Sequence, residues 1–244
     1  KVLILSRGYR SESERRGSVL RAGDPPADPG ISGDEVALLQ HLIPQAWIGV
    51  GARRVEQYRK IVAEGFQPDL VILDDGFQYR GFKKDLELLA VTSLRPSEYP
   101  FREFLRQASR ADLVLWTKGD QRPRALDFAK EWASVEYQLP TSQGERVVLV
   151  TGVGHGGYVR AQLQKAGFEV TRHLQLRDHA TPSPLLVHEA ASLCKSSGAR
   201  LGLTGKDWVK WRRVLPPDAD VLVFEPELRF LEGREIWDRV LWGT

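Results

Sequence analysis

Short apolar segments alternate with helical segments along this chain, and this alternation limits its possible folds more than any other feature. The apolar segments are four to six residues long, are bounded by polar residues, and are typical of buried strands. Two sets of strands are predicted, at 2–6, 47–50, 70–73, 87–92 and 113–117, and then at 146–151, 169–173, 200–204 and 221–224. Strands that alternate with helices favour a parallel α/β sheet.

The intervening segments predict helices and a domain boundary. Helices are predicted at 33–42, 53–64, 101–108, 124–133, 158–166, 184–196 and 235–241. The stretch LPTSQGE at 139–145 is short, polar and contains Pro and Gly, which is typical of a linker. The charged, Gly- and Pro-rich segment 10–30 predicts a long surface loop. We therefore expect a first domain at 1–140, a smaller α/β domain at 145–225, and a C-terminal helix within 226–244 that returns to the first domain.

Charge and composition argue against several classes of protein. The 35 basic and 32 acidic residues give a net charge of +3, which is too balanced to indicate a nucleic-acid partner. No run approaches the roughly 20 apolar residues of a membrane span. The single cysteine, Cys194, excludes an internal disulfide and fits a reducing compartment. Because the chain has no Met and opens inside a predicted strand, we expect its natural beginning to be missing.

Two adjacent aspartates end the predicted strand at 70–73, in the sequence VILDDGFQYR. Asp is a poor strand former and is costly to bury without a partner. One interpretation is that Asp74 and Asp75 cap the following turn. The other is a Mg²⁺ site at the carboxyl end of a parallel strand, as in the Walker B strand of P-loop phosphotransferases. The residues alone leave both interpretations open.

A second group of candidates lies at a predicted helix start and at a later strand end. Ser32 and Asp34 precede the helix in GISGDEVALLQ, where an N-cap is the simplest interpretation. The functional alternative makes Asp34 a general base that accepts a proton from an attacking hydroxyl. His179, in LRDHATP, is either a surface histidine or a group that assists a carboxylate base.

Basic residues follow several predicted strands. Arg7 and Tyr9 lie in SRGYR, Arg54 begins a helix after VGAR, and Arg102 lies in PFREFLR. Each arginine alone is typical of a solvated surface charge. Several at successive strand ends suit a phosphate, which arginine binds through bidentate charged hydrogen bonds.

Two further strand ends carry weaker signals. The stretch TGVGHGG at 151–157 lacks the acidic partner of a dinucleotide-binding motif and predicts a tight strand-to-helix turn. Lys206 and Asp207, in LTGKDW, are either a helix start with a flanking ion pair or part of an interdomain site.

Taken together, these segments resemble one family, the tetraacyldisaccharide 4′-kinases of lipid A biosynthesis. The matching pieces occur in the family's order across nearly the whole chain and are ILSRGYR, SGDEVALLQ, VGARRVEQ, VILDDGFQYR, DLELL, LRQASRADLVLWTK, TGVG, RDHA, LTGKDWVKW and ELRFLEG. The resemblance implies an α/β fold, with a P-loop NTPase-like parallel sheet and a second, smaller α/β domain. It also implies that ATP and Mg²⁺ are used to phosphorylate the 4′-hydroxyl of an acylated glucosamine disaccharide 1-phosphate. We accordingly expect a monomer that works at the cytoplasmic face of the bacterial inner membrane and binds no nucleic acid.

The resemblance further implies roles for individual residues. Asp34 matches the catalytic base and His179 its dyad partner. Residues that match positions at or near the metal are Asp75, Gln78 and Glu103. Residues that match positions for ATP, phosphate or substrate are Arg7, Tyr9, Arg54, Asp74 and Arg102.

The chain also departs from the family pattern. The family's Gly-rich P-loop and N-terminal membrane helix precede the SRGY strand and are absent from this sequence, so we expect the chain alone to be inactive. Arg53, Tyr79 and Ala180 stand where the family has Asp, His and His. The rival hypotheses are a P-loop phosphotransferase with another acceptor, and a degenerate homologue that binds lipid or nucleotide without turnover.

Overall fold

The computed structural model describes residues 1–92, 109–117, 122, 124–127, 129–153, 156–178 and 180–243. Within these residues the strands are β1 (Val2–Ser6), β2 (Ser18–Leu20), β3 (Trp47–Val50), β4 (Leu70–Leu73), β5 (Leu88–Val91), β6 (Leu113–Trp116), β7 (Trp132–Gln138), β8 (Arg146–Thr151), β9 (Glu169–Gln175), β10 (Arg200–Thr204), β11 (Val221–Phe224) and β12 (Glu227–Glu232). The α-helices are α1 (Glu12–Arg16), α2 (Pro29–Ser32), α3 (Asp34–Leu42), α4 (Arg54–Ala63), α5 (Gly156–Lys165), α6 (Pro184–Ser197), α7 (Gly205–Trp211) and α8 (Arg234–Trp242).

The described strands form three four-stranded sheets, and parallel pairing dominates each of them. The first sheet has the order β2-β3-β1-β4, with only β2 antiparallel to its neighbour. The second has the order β11-β10-β8-β9 and is parallel throughout. The third has the order β12-β7-β6-β5, with only β12 antiparallel. This is the α/β class that the alternation of strands and helices predicts.

The chain divides into two compact units. The first comprises Lys1–Asp74 and Leu139–Glu225 and contains the first two sheets. The second comprises Asp75–Gln138 and Pro226–Thr244 and contains the third sheet and α8. The domain limits predicted from the sequence stay a prediction.

Strand β1 is one of the two central strands of the first sheet. Leu3, Ile4 and Leu5 are all buried, and each contributes about 1.5–3 kcal/mol relative to an exposed side chain. Gly49 on β3 lies opposite Leu5, and a Cβ atom there would come within 2.9 Å of Ile61 Cδ1 on α4. The glycine therefore lets α4 pack close to the sheet.

The second sheet is buried on both faces at its centre, as expected for parallel strands covered by helices. Along β8 the four residues 147–150 are completely buried. Strands β8 and β10 are parallel neighbours, so Thr151 and Thr204 end at the same edge. This geometry places the loop after β8 beside the start of α7.

A partly buried hydrogen bond at the end of β8 gives the first unit a pH-sensitive element. Thr151 Oγ1 and His173 Nε2 lie 2.8 Å apart. Burial, followed by the positive charge of Arg160, lowers the pKa of His173 below its ordinary value of 6.5. Between the folded and unfolded pKa values the unfolded chain binds more protons, so stability rises with pH across that window.

We therefore expect the folded state to lose stability as the pH is lowered through 6.5 towards the folded pKa of His173. His173→Gln should make the urea midpoint less dependent on pH in this window. His188→Gln is the matched control, because it removes an exposed imidazole from α6 and leaves the Thr151 contact intact. An equally steep pH dependence in His173→Gln would contradict this assignment.

The sequence predictions differ from the structure in several places, and strand β12 is not predicted at all. The helix predicted at 124–133 is wrong: a 3₁₀ turn covers only Arg124–Leu126, and β7 already begins at Trp132 because its Trp, Val and Tyr residues favour strands. The loop predicted at 10–30 is also wrong, since it contains α1, β2 and the start of α2. The helix predicted at 101–108 lies outside the described residues.

No helix in the described part of the chain is long and apolar enough to span a membrane.

Candidate active site

The carboxyl ends of β1 and β4 bring Asp74 and Arg54 together. Asp74 Oδ2 accepts a hydrogen bond from Ser6 Oγ at 2.8 Å, and the Asp74 amide donates to Leu5 O at 3.0 Å. Arg54, the first residue of α4, donates from Nη2 to the Asp74 carbonyl at 3.1 Å. The Asp74 carboxylate is thus bonded to the neighbouring strand end, and Arg54 is fixed beside it.

Asp75 follows at once and has an unusual backbone. Its φ of +50° lies in the left-handed region, which Asp tolerates better than most residues other than Gly. The next turn is closed by a hydrogen bond from the Tyr79 amide to Gly76 O at 3.0 Å. Asp75 and Gln78 are both exposed. Arg102 and Glu103 lie outside the described residues.

The loop after β1 displays an aromatic ring beside two guanidinium groups. Arg7 and Arg10 lie 5.7 and 5.1 Å from the centre of the Tyr9 ring. Glu14 on α1 holds both ends of the loop, because it accepts from Arg7 Nε at 2.6 Å and from the Arg10 amide at 2.7 Å. Tyr9 is 52% exposed. The loop therefore presents a flat ring and positive charge to solvent.

A shallow depression joins this loop to the start of α3. Its lining residues are Gly8, Tyr9, Gly33, Asp34, Glu35 and Val36. Gly8 has a φ of +65°, and a Cβ atom there would lie 2.5 Å from Val50 Cγ1, so only glycine fits the turn. The Tyr9 ring and the predicted base Asp34 consequently line the same depression.

Asp34 is the first residue of α3 and does not cap it. The N-cap is Gly33, which has no side chain that could cap the helix. Ser32 ends α2 instead, and its hydroxyl donates to Asp28 O at 2.8 Å. The N-cap interpretation of Ser32 and Asp34 is therefore wrong. Asp34 Oδ2 accepts from Lys210 Nζ at 3.2 Å, and the Asp34 side chain is only 11% exposed.

Lys210 lies on α7 between two carboxylates. It is 4% exposed, and its Nζ is 3.9 Å from Oδ1 of Asp207, which is 1% exposed. Asp207 Oδ1 accepts from the Gly152 amide at 3.0 Å, and Oδ2 accepts from Thr204 Oγ1 at 2.7 Å. Burial raises the pKa of Asp207, whereas the hydrogen bonds from Thr204 and Gly152 and the charge of Lys210 act in the opposite direction.

Lys206 belongs to the same helix and contacts two other acidic residues. Thr204 caps α7 by accepting from the Asp207 amide, so the helix-start interpretation of Lys206 and Asp207 is confirmed. Lys206 Nζ lies 3.8 Å from Glu35 Oε1 and 4.0 Å from Asp178 Oδ1. Asp178 precedes His179, which lies outside the described residues.

Sequence reasoning missed three of these groups. For Glu14 the sequence does contain a signal, because Ser11 and Glu14 have the spacing of a capping box. In the structure, Ser11 Oγ accepts a hydrogen bond from the Glu14 amide at 3.2 Å. Ser6 and Lys210 carry no such signal. Lys210 is 176 positions from Asp34, so only the fold brings the two together.

Mostly parallel strands joined by helices, with polar residues gathered at their carboxyl ends, define an α/β protein of the open-sheet class. The crystal structure of LpxK from Aquifex aeolicus in complex with ATP has this fold, with a TM-score of 0.72 and 21% identity over 98% of this chain and 78% of that one. The family model for LpxK, tetraacyldisaccharide-1-P 4′-kinase, matches residues 1–242. The chain belongs to this family.

Curated relatives agree with this assignment. A tetraacyldisaccharide 4′-kinase from Chlorobium phaeovibrioides is 28% identical over an alignment of 253 positions, which covers 86% of this chain and 68% of that protein. Its counterpart from Shewanella pealeana is 30% identical over 227 residues, covering 86% and 64%. That from Gluconobacter oxydans is 31% identical over 223 residues, covering 85% and 65%. The chain thus spans about two thirds of the length of these relatives.

Proposed function

We propose that this protein, expressed from its complete coding region, transfers the γ-phosphoryl group of ATP to the 4′-hydroxyl of an acylated glucosamine disaccharide 1-phosphate in lipid A biosynthesis. The names of its relatives and the ATP in the related crystal structure support this substrate pair. The observation that carries the proposal is Asp34, a nearly buried carboxylate that is not used as a helix cap and lines a depression beside Tyr9.

Asp34 would act as the general base. It accepts the proton of the 4′-hydroxyl while the new O–P bond forms and the bond between the β- and γ-phosphates breaks, which releases ADP. A base in this role must lie within hydrogen-bonding reach of the hydroxyl. We place the acceptor hydroxyl at the depression that Asp34 and Tyr9 line. His179 is the proposed partner of this base. It follows Asp178 in the chain, and Lys206 Nζ lies 4.0 Å from Asp178 Oδ1 and 3.8 Å from Glu35 Oε1.

The proposed cofactor besides ATP is Mg²⁺, and the residues at the end of β4 fit it. Mg²⁺ binds oxygen ligands and keeps several waters, so one or two protein carboxylates suffice. Asp75 offers an exposed carboxylate for this purpose, with Asp74 adjacent in the chain and Gln78 and Glu103 as the other proposed metal-site residues. When bound, Mg²⁺ would neutralise charge on the transferring phosphates.

The proposed phosphate and sugar contacts come from the strand ends of the first sheet. Arg54 donates to the Asp74 carbonyl and Arg7 to the Glu14 carboxylate, and we propose that both guanidinium groups bind phosphate oxygens. The Tyr9 ring suits the apolar face of a sugar. Arg102 is also proposed to bind ATP, phosphate or substrate, because its motif matches such a position in the family. We further propose that the protein is a monomer that meets its lipid substrate at the cytoplasmic face of the inner membrane.

The direct test is a phosphorylation assay with radiolabelled ATP, Mg²⁺ and purified protein expressed from the complete coding region. The acceptors are a tetraacylated disaccharide 1-phosphate, its deacylated form, and small sugar alcohols. We expect label on the acylated disaccharide and a strict requirement for Mg²⁺. Label on small acceptors alone would identify a phosphotransferase of different specificity. ATP binding without transfer to any acceptor would identify a non-catalytic homologue.

A further inference from the structure

Lys210 has an uncommon environment. Lysine is almost never fully buried unless its charge is paired, because removing an ammonium group from water is costly. This lysine is 4% exposed and is the cation between Asp34 and Asp207. A buried ion pair is in general weak evidence for added stability, since apolar residues of similar size often replace one without loss. Because this ion pair includes the proposed base Asp34, we expect it to have a role in catalysis rather than in stability.

The two carboxylates around Lys210 are held differently. Both oxygens of Asp207 already have donors, the Gly152 amide and the Thr204 hydroxyl, so Asp207 is fixed to the ends of β8 and β10. Lys210 Nζ is closer to Asp34, at 3.2 Å, than to Asp207, at 3.9 Å. The ammonium group of Lys210 therefore lies beside Asp207, which is held at the strand ends, and makes its closer contact with Asp34.

We propose that Lys210 is a positioning residue for the proposed base: it holds Asp34 Oδ2 in place and so orients the carboxylate towards the acceptor hydroxyl. This inference rests on the proposed function. Asp34 is the first residue of α3, and its hydrogen bond with Lys210 at 3.2 Å joins it to α7. A displacement of about 1 Å in a catalytic geometry lowers a rate by roughly 10²-fold.

Lys210→Met should therefore lower kcat by roughly 10²-fold and leave the affinity for ATP nearly unchanged. Lys195→Met is the matched control, because it removes an exposed lysine from α6 in the same unit. If Lys210→Met does not fold, the measurement is made on Lys210→Met combined with Asp207→Asn, which removes one charge of each sign. Lys210→Arg keeps the charge and should recover part of the lost kcat.

A kinetic double-mutant cycle distinguishes positioning from a general structural effect. If Lys210 acts through Asp34, then Asp34→Asn/Lys210→Met should lose no more kcat than Asp34→Asn alone. Losses that multiply would overturn the proposal, as would a kcat of Lys210→Met equal to that of Lys195→Met.

The same four proteins provide a second readout that needs no substrate. In urea unfolding, the effects of the two substitutions should be coupled by on the order of tenfold in the unfolding constant, because the side chains are in direct contact. An absence of phosphorylation by the unmodified protein would overturn the proposed function. The unfolding cycle would then still decide whether Lys210 holds Asp34, and additive effects on the unfolding constant would overturn that pairing.

Discussion

Replacing Asp34 with Asn should lower kcat for the acylated disaccharide by roughly 10²–10⁴-fold, the contribution of a positioned general base. The amide keeps the shape of the side chain but cannot accept the hydroxyl proton. ATP affinity should stay within about twofold, because Asp34 contributes to the transition state rather than to nucleotide binding. Steady-state assays at saturating ATP give kcat, and calorimetric titration gives the affinity for ATP.

The matched control for this substitution is Asp220→Asn. Asp220 is an exposed carboxylate of the same unit and pairs with Arg200 at 2.6 Å, so its neutralisation changes the net charge equally without reaching the depression. Loss of ATP binding in Asp34→Asn would show that Asp34 supports the nucleotide site instead. An unchanged kcat would remove Asp34 from the mechanism.

The largest expected effect on stability is that of Trp211→Ala, at about 3–5 kcal/mol. Trp211 ends α7 and is completely buried among residues that include Val150, Leu201 and Leu203. Removing the indole leaves a cavity that the two-sided packing of the second sheet cannot close. The thermal midpoint of the first unit should fall on the order of 10 °C, measurable by calorimetry or circular dichroism.

Two further variants make this prediction specific. Trp242→Ala removes a tryptophan that is 64% exposed on α8 and should change stability by less than about 0.5 kcal/mol. Trp211→Phe should cost much less than Trp211→Ala, because the indole Nε1 of Trp211 is buried with no hydrogen-bond partner in the described part of the chain. Equal losses in Trp211→Ala and Trp242→Ala would contradict the assignment of Trp211 to the core.

The parallel strands of the first unit could be predicted from the sequence because their signal is local. The runs at 2–6, 47–50 and 70–73 are short, apolar and bounded by polar residues, and the structure has β1, β3 and β4 at these positions. Strand β7 could not be found in this way. Its residues follow a segment of helix-forming composition, and pairing with β6 and β12 decides its conformation.

The residues of the candidate site likewise include some that have a local sequence signal and some that have none. Asp34, Asp74 and Arg54 could be selected because each stands at a recognisable strand end or helix start. Their partners Ser6 and Lys210 could not, since these contacts depend on which strands are neighbours and how α7 packs against α3. Glu14 could have been found, because its capping-box spacing with Ser11 is visible in the sequence.

Because the first turn of α7 carries the capping bonds of Thr204 and Asp207, local opening of this turn should also disrupt the candidate site. Thr204 Oγ1 accepts the Asp207 amide and donates to the Asp207 carboxylate, which in turn accepts the Gly152 amide. Fraying of this turn therefore exposes two backbone amides that are 55 residues apart in the chain. In native-state hydrogen exchange, the amides of Gly152 and Asp207 should open with one shared free energy. The same opening would release Asp207, which lies beside Lys210. Hydrogen exchange at the Gly152 amide therefore reports how often the contacts around Lys210 are broken.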